Sequence, residues 1–414
     1  CHNRLDGYSL GDDMTDATLT AIAVDTAPAK KAARLVHIDG ARGYLLLAMF
    51  VAHFNFTHWT PIIYLHHGGY TPVWDGEFFV LLSGFVCALS YGSVFQRTGF
   101  FGCFKAVIKR LRWVYLYHVI VAFTMLHFFI QAWPLQLDSL YKPDLETPLL
   151  IQSLQVFTFV KQPIYLGILL LYIVLMLFIP VAAWLLDRGK TFLFFGIIIV
   201  CWLAARLNMD AIAGAWFEQN IIDTSGMFAL RSSFSPLSYA LLFYGGYYLG
   251  YRYKRYGWDD FRQNILPLNY SWFFVAVAAI AIFAVAELFR EQLNSPTWLY
   301  EPNRAEISIT GIMGTCAVSY AVYFLLNRKD LPFGLSIIQS IGEKILLHPL
   351  LVTVGQSSLF VYSAHVFAVF LPSYFIVATG HQGDRGVIVV AFFTALLALI
   401  GLAFVKRRYF PALP

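Results

Sequence analysis

Arg42 and His53 are the residues whose types and spacing point most directly to chemistry. They lie in RLVHIDGARGYLLLAMFVAHFNFTHW, residues 34–59, where a charged cluster gives way to an apolar run with an imidazole inside it. At about 100° and 1.5 Å per residue, the eleven steps between them turn ~1100°, so on a helix they share a face about 16 Å apart. Asp39 falls about 40° from His53 on the same count. An ionisable side chain inside an apolar helix is costly, and it normally faces a bundle interior or a water-filled cavity. His53 in such a place suits general-base catalysis or a covalent acyl relay. The bland alternative is a core histidine bonded to a neighbouring helix.

The next apolar run, WDGEFFVLLSGFVCALSYG (residues 74–92), begins with Asp75 and Glu77 and carries Ser83-Gly84 at mid-depth. If this run descends while the first ascends, Glu77 comes close to the depth of His53, and a carboxylate there would orient the imidazole and raise its basicity. Ser83 offers a donor for a developing oxyanion, and the small pair permits close helix contact. KAVIKRLRWVYLYH (residues 105–118) then crowds Lys105, Lys109, Arg110 and Arg112. Positive charge at a membrane edge is an ordinary anchor. Beside Asp39 and Arg42 it would also hold the phosphates of a nucleotide-type donor.

The elements that must position these groups are membrane helices. Of 414 residues, 59% are hydrophobic and 13% charged, with mean hydropathy +0.64, far from the roughly 25% charge of a soluble domain. Apolar runs near the ~20 residues that cross a bilayer fall at 41–58, 76–96, 113–133, 164–186, 191–205, 235–253, 271–289, 307–327, 358–378 and 386–405. The expected fold is therefore all-α, a polytopic bundle of about ten transmembrane helices, with nine or eleven as neighbouring counts. Lys and Arg collect in loops around 97–112, 188–190, 252–262, 328–344 and 406–408, and are sparse in the alternate loops. The positive-inside rule then puts both termini in the cytoplasm. The net charge of +5 is accounted for by this topology and does not call for nucleic acid. Residues 1–33 are polar and without an apolar stripe, so they read as a disordered cytoplasmic tail, with 1–13 as an extension before a candidate start at Met14. Residues 34–414 form the membrane domain.

DGARGYLLLAMFVAH, followed by FFVLLSGFV and a basic loop, resembles the membrane acyltransferase type 3 superfamily, and within it the OpgC proteins, which succinylate osmoregulated periplasmic glucans. The family's first pattern, a basic residue, ten intervening residues and a histidine, falls on Arg42 and His53. Its second, two basic residues separated by two, falls on Lys109 and Arg112, with Lys where many members carry Arg. SSFSPLSYALLFYGGYYLG (232–250) and GQSSLFVYSAHVFAVF (355–370) are similar to later family segments, the second offering His365. The resemblance covers about residues 34–408. It implies a multi-pass protein of the bacterial inner membrane that moves an acyl group, expected to be succinyl, from cytoplasmic acyl-CoA to a hydroxyl of a periplasmic glucan. No permanently bound cofactor is implied.

On this reading His53 is the general base and Glu77 orients it, while Asp39, Arg42, Ser83, Lys109, Arg110 and Arg112 form the acyl-CoA site. A succinyl carboxylate needs a cation inside the membrane, and Arg231 is the expected one, ahead of Arg42, with His365 near the acyl or acceptor end. Outward loops rich in aromatics, among them Trp59, Trp74, Trp133, Trp216 and Trp298, suit sugar stacking, although belts of Trp and Tyr are common at membrane interfaces. His58, His66 and His67 suggest a metal, but no carboxylate or Cys at ligand spacing completes a set, so none is expected. The alternatives are an O-acetyltransferase acting on another surface polysaccharide and a proton-coupled transporter, for which no inverted repeat is evident.

Overall fold

The computed structural model describes residues 35–57, 60–69, 73–126, 148–159, 165–209, 212, 234–289 and 306–411. They belong to one compact unit, Val36–Pro414. The expected tail at 1–33 and Arg231 lie outside the described residues.

Among the described residues there are helices and no strand. In chain order they are α1 (Val36–Thr57), two 3-10 turns (Pro61–Leu65 and His67–Gly69), α2 (Asp75–Thr124), α3 (Leu149–Phe157), α4 (Gly167–Leu177), α5 (Ile179–Asp187), α6 (Thr191–Arg206), α7 (Pro236–Asp260), α8 (Tyr270–Leu288), α9 (Ile309–Asn327), α10 (Phe333–Leu346), α11 (Pro349–Gln356), α12 (Ser358–Ala378) and α13 (Arg385–Tyr409). Local chemistry sets several of their starts. Ser235, Ser308 and Asp384 accept hydrogen bonds from the first backbone N–H groups of α7, α9 and α13, the capping that an exposed N-terminal turn needs.

The described part of each of the ten apolar runs falls mainly on helix, with the second half of the run 113–133 largely outside the described residues. Among the described residues four helices, α2, α9, α12 and α13, are long and apolar enough to cross a membrane, or up to seven spans if each bent pair counts as one. Those pairs are α4 with α5, bent by 40°, α7 with α8, bent by 78°, and α10 with α11, bent by 53°. α1 falls short of that apolarity because Arg42, His53 and Asn55 interrupt it. α6, with 16 residues, is short. Large apolar side chains point outward around the bundle, including Phe192, Val200, Ile282, Val390 and Leu397, the kind of surface that lipid rather than water covers. The chain is a membrane protein.

α2 reverses on itself. Gly99 has φ +68°, a left-handed conformation open to glycine and strained for other residues. Twelve residues of straight helix span ~18 Å, yet Cys103 Sγ lies 3.8 Å from the carbonyl oxygen of Tyr91, so limbs 75–98 and 100–124 run back to back. Gly257, with φ +87°, kinks α7, where the eight-residue step from Arg252 to Asp260 closes to a 2.9 Å ion pair.

Two close crossings hold the site's helices. A Cβ on Gly84 would sit 1.8 Å from the carbonyl oxygen of Phe243, and one on Gly246 would sit 2.0 Å from that of Leu81, so α2 and α7 touch backbone to backbone. This matches what the Ser83-Gly84 pair predicts. Likewise a Cβ on Gly355 would sit 1.8 Å from the Asp39 carbonyl oxygen and one on Gly43 1.9 Å from that of Leu351, which seats α1 against α11. The broken pair α10–α11 is not among the runs read from sequence. α10 buries none of its residues, and its apolar side is the row Phe333, Ile337, Ile338, Ile341 and Ile345, all exposed.

Candidate active site

The stripe on α1 ends in two different surroundings. At its lower end Arg42 lines a cavity of about 210 Å³ with Phe79, Ser83, Cys87, Ser90, Tyr91, Arg110, Tyr172, Ser358 and Tyr362 among its walls. Arg42 Nη2 donates to Ser358 Oγ at 2.6 Å, and the guanidinium lies over the Phe79 ring, 5.5 Å from its centroid. Its buried Nε has no hydrogen-bond partner among the described residues, which leaves a half-buried cation with donor capacity toward the cavity.

Of the expected donor cluster, Arg110 reaches this cavity and Lys109 and Arg112 do not: both are exposed. The limb 100–124 explains why. Its buried positions are Cys103, Val107, Leu111, Val114, His118 and Val121, a helical stripe with steps of three and four. Arg110 borders that stripe, while Lys109 and Arg112 fall off it. Asp39 is buried at the α1–α11 crossing, where Gln356 Nε2 donates to its Oδ2 at 3.2 Å, and it does not line the cavity. Ser83 does. The further lining residues Cys87 and Ser90 were missed, although Ser83, Cys87 and Ser90 at spacings of four and three form a polar face legible on any helical wheel.

At the upper end His53 Nδ1 lies 3.0 Å from His365 Nε2. His365 is fully buried on α12, and its Nδ1 is bonded to the carbonyl oxygen of Tyr362. A carbonyl only accepts, so Nδ1 of His365 carries the hydrogen and its Nε2 offers a lone pair. His53 must then donate from Nδ1, which makes Nε2 its basic nitrogen. Tyr165 stacks on the His53 ring with centroids 3.9 Å apart and planes 22° off parallel. Tyr165 itself has φ +72°, an uncommon conformation for a bulky residue that often marks functional sites. The Tyr362 hydroxyl donates to the Tyr165 carbonyl, which ties down that loop.

Tyr362 joins the two ends. It lines the cavity around Arg42, and its ring lies 4.9 Å from that of His365. Neither Tyr165 nor Tyr362 carries a sequence signal that singles it out.

Glu77, expected beside His53, makes its described bonds elsewhere. Its carboxylate accepts from the Trp74 backbone N–H at 3.2 Å and from the Thr315 hydroxyl at 3.3 Å, so its described bonds cap α2 and tie it to α9. The described partner of His53 is His365. The Thr315 bond shows that the Glu77 carboxylate faces α9.

A second departure concerns metal ligands. The loop after α1 turns back along the helix: His67 Nδ1 lies 3.3 Å from the Tyr44 hydroxyl, although α1 continues about 20 Å beyond Tyr44 before it ends. This return brings His66 and His67 against Asp75 at the start of α2. Two imidazoles and a carboxylate thus lie with ligand atoms within 4.8 Å of one another, which corrects the expectation that no carboxylate completes the set. Burial pushes the His67 imidazole below its usual range, with Asp75 pulling the other way. His58 and the loop residues Trp59, Trp133, Trp216 and Trp298 lie outside the described residues, and Trp74 is exposed.

The family model described as OpgC protein matches residues 34–409. No curated protein and no solved structure matches the chain.

Proposed function

The chain belongs to the OpgC protein family, and from that premise we propose that it is a membrane O-acyltransferase that moves an acyl group, succinyl in the first instance, from cytoplasmic acyl-CoA to a hydroxyl of a periplasmic glucan. The observation that carries the reading is the continuity from the Arg42 cavity, through Tyr362, to the His53–His365 pair. In this mechanism Arg42 and Arg110 meet the phosphates or the anionic end of the donor, and Ser83 with Tyr172 lines the path of the acyl chain. His53 Nε2 takes the proton of the acceptor hydroxyl as the oxygen attacks the thioester carbon. The C–S bond breaks, the thiolate leaves and takes up a proton on the cytoplasmic side as CoA-SH, and His53 gives the proton it accepted to water on the acceptor side, which restores the neutral base. A relay through an acyl-His53 intermediate uses the same atoms in two steps.

His365 is a positioning residue in this scheme, because it accepts from His53 Nδ1 and fixes the tautomer that exposes Nε2. The reading takes the ten helical runs as ten spans, with the charged loops and both termini cytoplasmic, so that Arg42 and Arg110 face the donor and His53 the acceptor. Arg231, or Arg42, supplies the charge that a succinyl carboxylate needs.

The test is transfer itself. Protein purified into nanodiscs, given acyl-CoA labelled in the acyl group and a glucan acceptor, should put label on the glucan with succinyl-CoA preferred to acetyl-CoA. His53→Ala should remove at least the ~10²-fold that a general base contributes without loss of folded protein. Label that stays on CoA with both donors would refute the reading and leave a transport role.

A further inference from the structure

We propose that His66, His67 and Asp75 form a binding site for a divalent transition metal of the zinc class, set where the loop after α1 meets the start of α2. Asp75 is almost wholly buried, as is His66. The Asp75 carboxylate uses one oxygen on His66, whose Nε2 lies 2.8 Å from Oδ2. The other oxygen, Oδ1, is buried with no hydrogen-bond partner among the described residues, and it faces His67 Nε2 at 3.4 Å. No hydrogen bond joins these two atoms. Their separation is close to the ~3.3 Å edge of a tetrahedron built on metal–ligand bonds of about 2.0–2.1 Å. A buried anionic oxygen turned toward an imidazole nitrogen at ligand separation is an arrangement that a cation between them stabilises.

The donor set fits zinc in kind as well as in distance. Two imidazoles and one carboxylate are borderline and hard ligands, and three protein ligands leave a fourth position for water or a hydroxyl. His67 has the outer support that metal-bound histidines usually show, since its Nδ1 lies 3.3 Å from the Tyr44 hydroxyl, which can take that hydrogen. His66 must rearrange. The Gly68 N–H donates to its Nδ1 at 3.0 Å, which keeps the ring hydrogen on Nε2, aimed at Asp75. Binding through Nε2 moves that hydrogen to Nδ1 by exchange with solvent, and the Gly68 amide then has to turn away. Gly68 sits close under the ring, where a Cβ would fall 2.9 Å from it, and a glycine turns at least cost. Metal entry therefore reorders the 66–68 turn while fastening it to α2.

The test uses full-length protein with any affinity tag removed. After exposure to zinc and desalting, elemental analysis should find about one zinc per chain, held with Kd below about 10 μM against a chromogenic chelator. Asp75→Asn and His67→Ala should each lose most of it while eluting as folded protein. Because either variant could disturb the loop, the wild type carries a second measurement. Carbethoxylation of His67, read by mass spectrometry, should slow severalfold with zinc and recover with chelator. Wild-type protein with no zinc above blank, variants that keep full zinc, or histidine modification indifferent to zinc would each overturn the proposal.

Discussion

Replacing His365 should damage catalysis through His53, and the hydrogen-bond geometry sets how much. Before reaction the His53 Nδ1–H to His365 Nε2 contact, 3.0 Å long, joins two neutral rings and is worth ~0.5–1.5 kcal/mol. Once His53 has taken the acceptor's proton it is an imidazolium, and the same bond becomes charge-assisted, worth ~1.5–3 kcal/mol. The difference, about 1–2 kcal/mol, is transition-state stabilisation that His365→Ala forfeits, roughly 5–30-fold in kcat. Release of the His53 ring from its orientation adds to that, so a loss of about 10–100-fold is expected, smaller than the 10²–10⁴ expected for His53→Ala. KM for acyl-CoA should barely move, because His365 does not line the donor cavity. His365→Gln, whose amide oxygen can accept from Nδ1, should recover part of the loss. The decisive measurement is the double variant in the labelled-transfer assay. If His365 acts through His53, His53→Ala/His365→Ala is no slower than His53→Ala alone. Losses that multiply would mean that the two act independently, and a His365→Ala rate within about twofold of wild type would refute the tautomer argument outright.

Arg110→Ala should raise KM for acyl-CoA by about 10-fold or more, the size of a lost charge-assisted contact, while Lys109→Ala and Arg112→Ala, on the exposed sides of the same turn, should leave it within about twofold; donor titrations in nanodiscs distinguish them. Gly84→Ala forces a Cβ into the Phe243 carbonyl and should cost ~3 kcal/mol or more, read as a lower unfolding temperature in detergent. Gly92→Ala, on the same limb with nothing within 4 Å, should be neutral or stabilising. If the donor is succinyl-CoA, Arg231→Met should lose succinyl transfer and keep acetyl transfer; equal loss with both donors would point to folding or acceptor binding.

The Arg42–His53 stripe is legible from sequence because both residues sit on one helix, and the helical repeat alone determines that they share a face. The same logic finds the α2–α7 contact, since a small pair at mid-span predicts close packing. It fails where depth is used in place of direction. Glu77 lies in the first turn of the expected helix, but level alone says nothing of direction, and its described bonds go to the Trp74 amide and Thr315. The α2–α7 crossing and the Thr315 bond turn it elsewhere. Lys109 and Arg112 illustrate the same point within one turn: a two-residue gap between charges says nothing of which charge borders the stripe from Cys103 to Val121 that the bundle buries.

The His53–His365 pair lies beyond local reasoning altogether, because 312 residues separate its members and their meeting depends on how α12 lies along α1. The loop holding His66 and His67 poses the opposite problem. Its ligands are close in sequence to Asp75, yet a span-by-span reading lays the connection out on the membrane surface, where it would leave α1 behind. The return of this loop along α1 as far as Tyr44 buries Asp75 instead. It also brings His66 within electrostatic range of the His53 ring. An acyltransferase that works at mid-membrane must keep its base from water while admitting a sugar hydroxyl from outside. On the proposed orientation the folded-back loop after α1 lies on the acceptor side, where it would narrow the opening. If so, loosening the loop should raise hydrolysis of the donor relative to transfer. His67→Ala measured for both products checks this: an unchanged ratio of released acid to acylated glucan would mean that the loop does not shield the base.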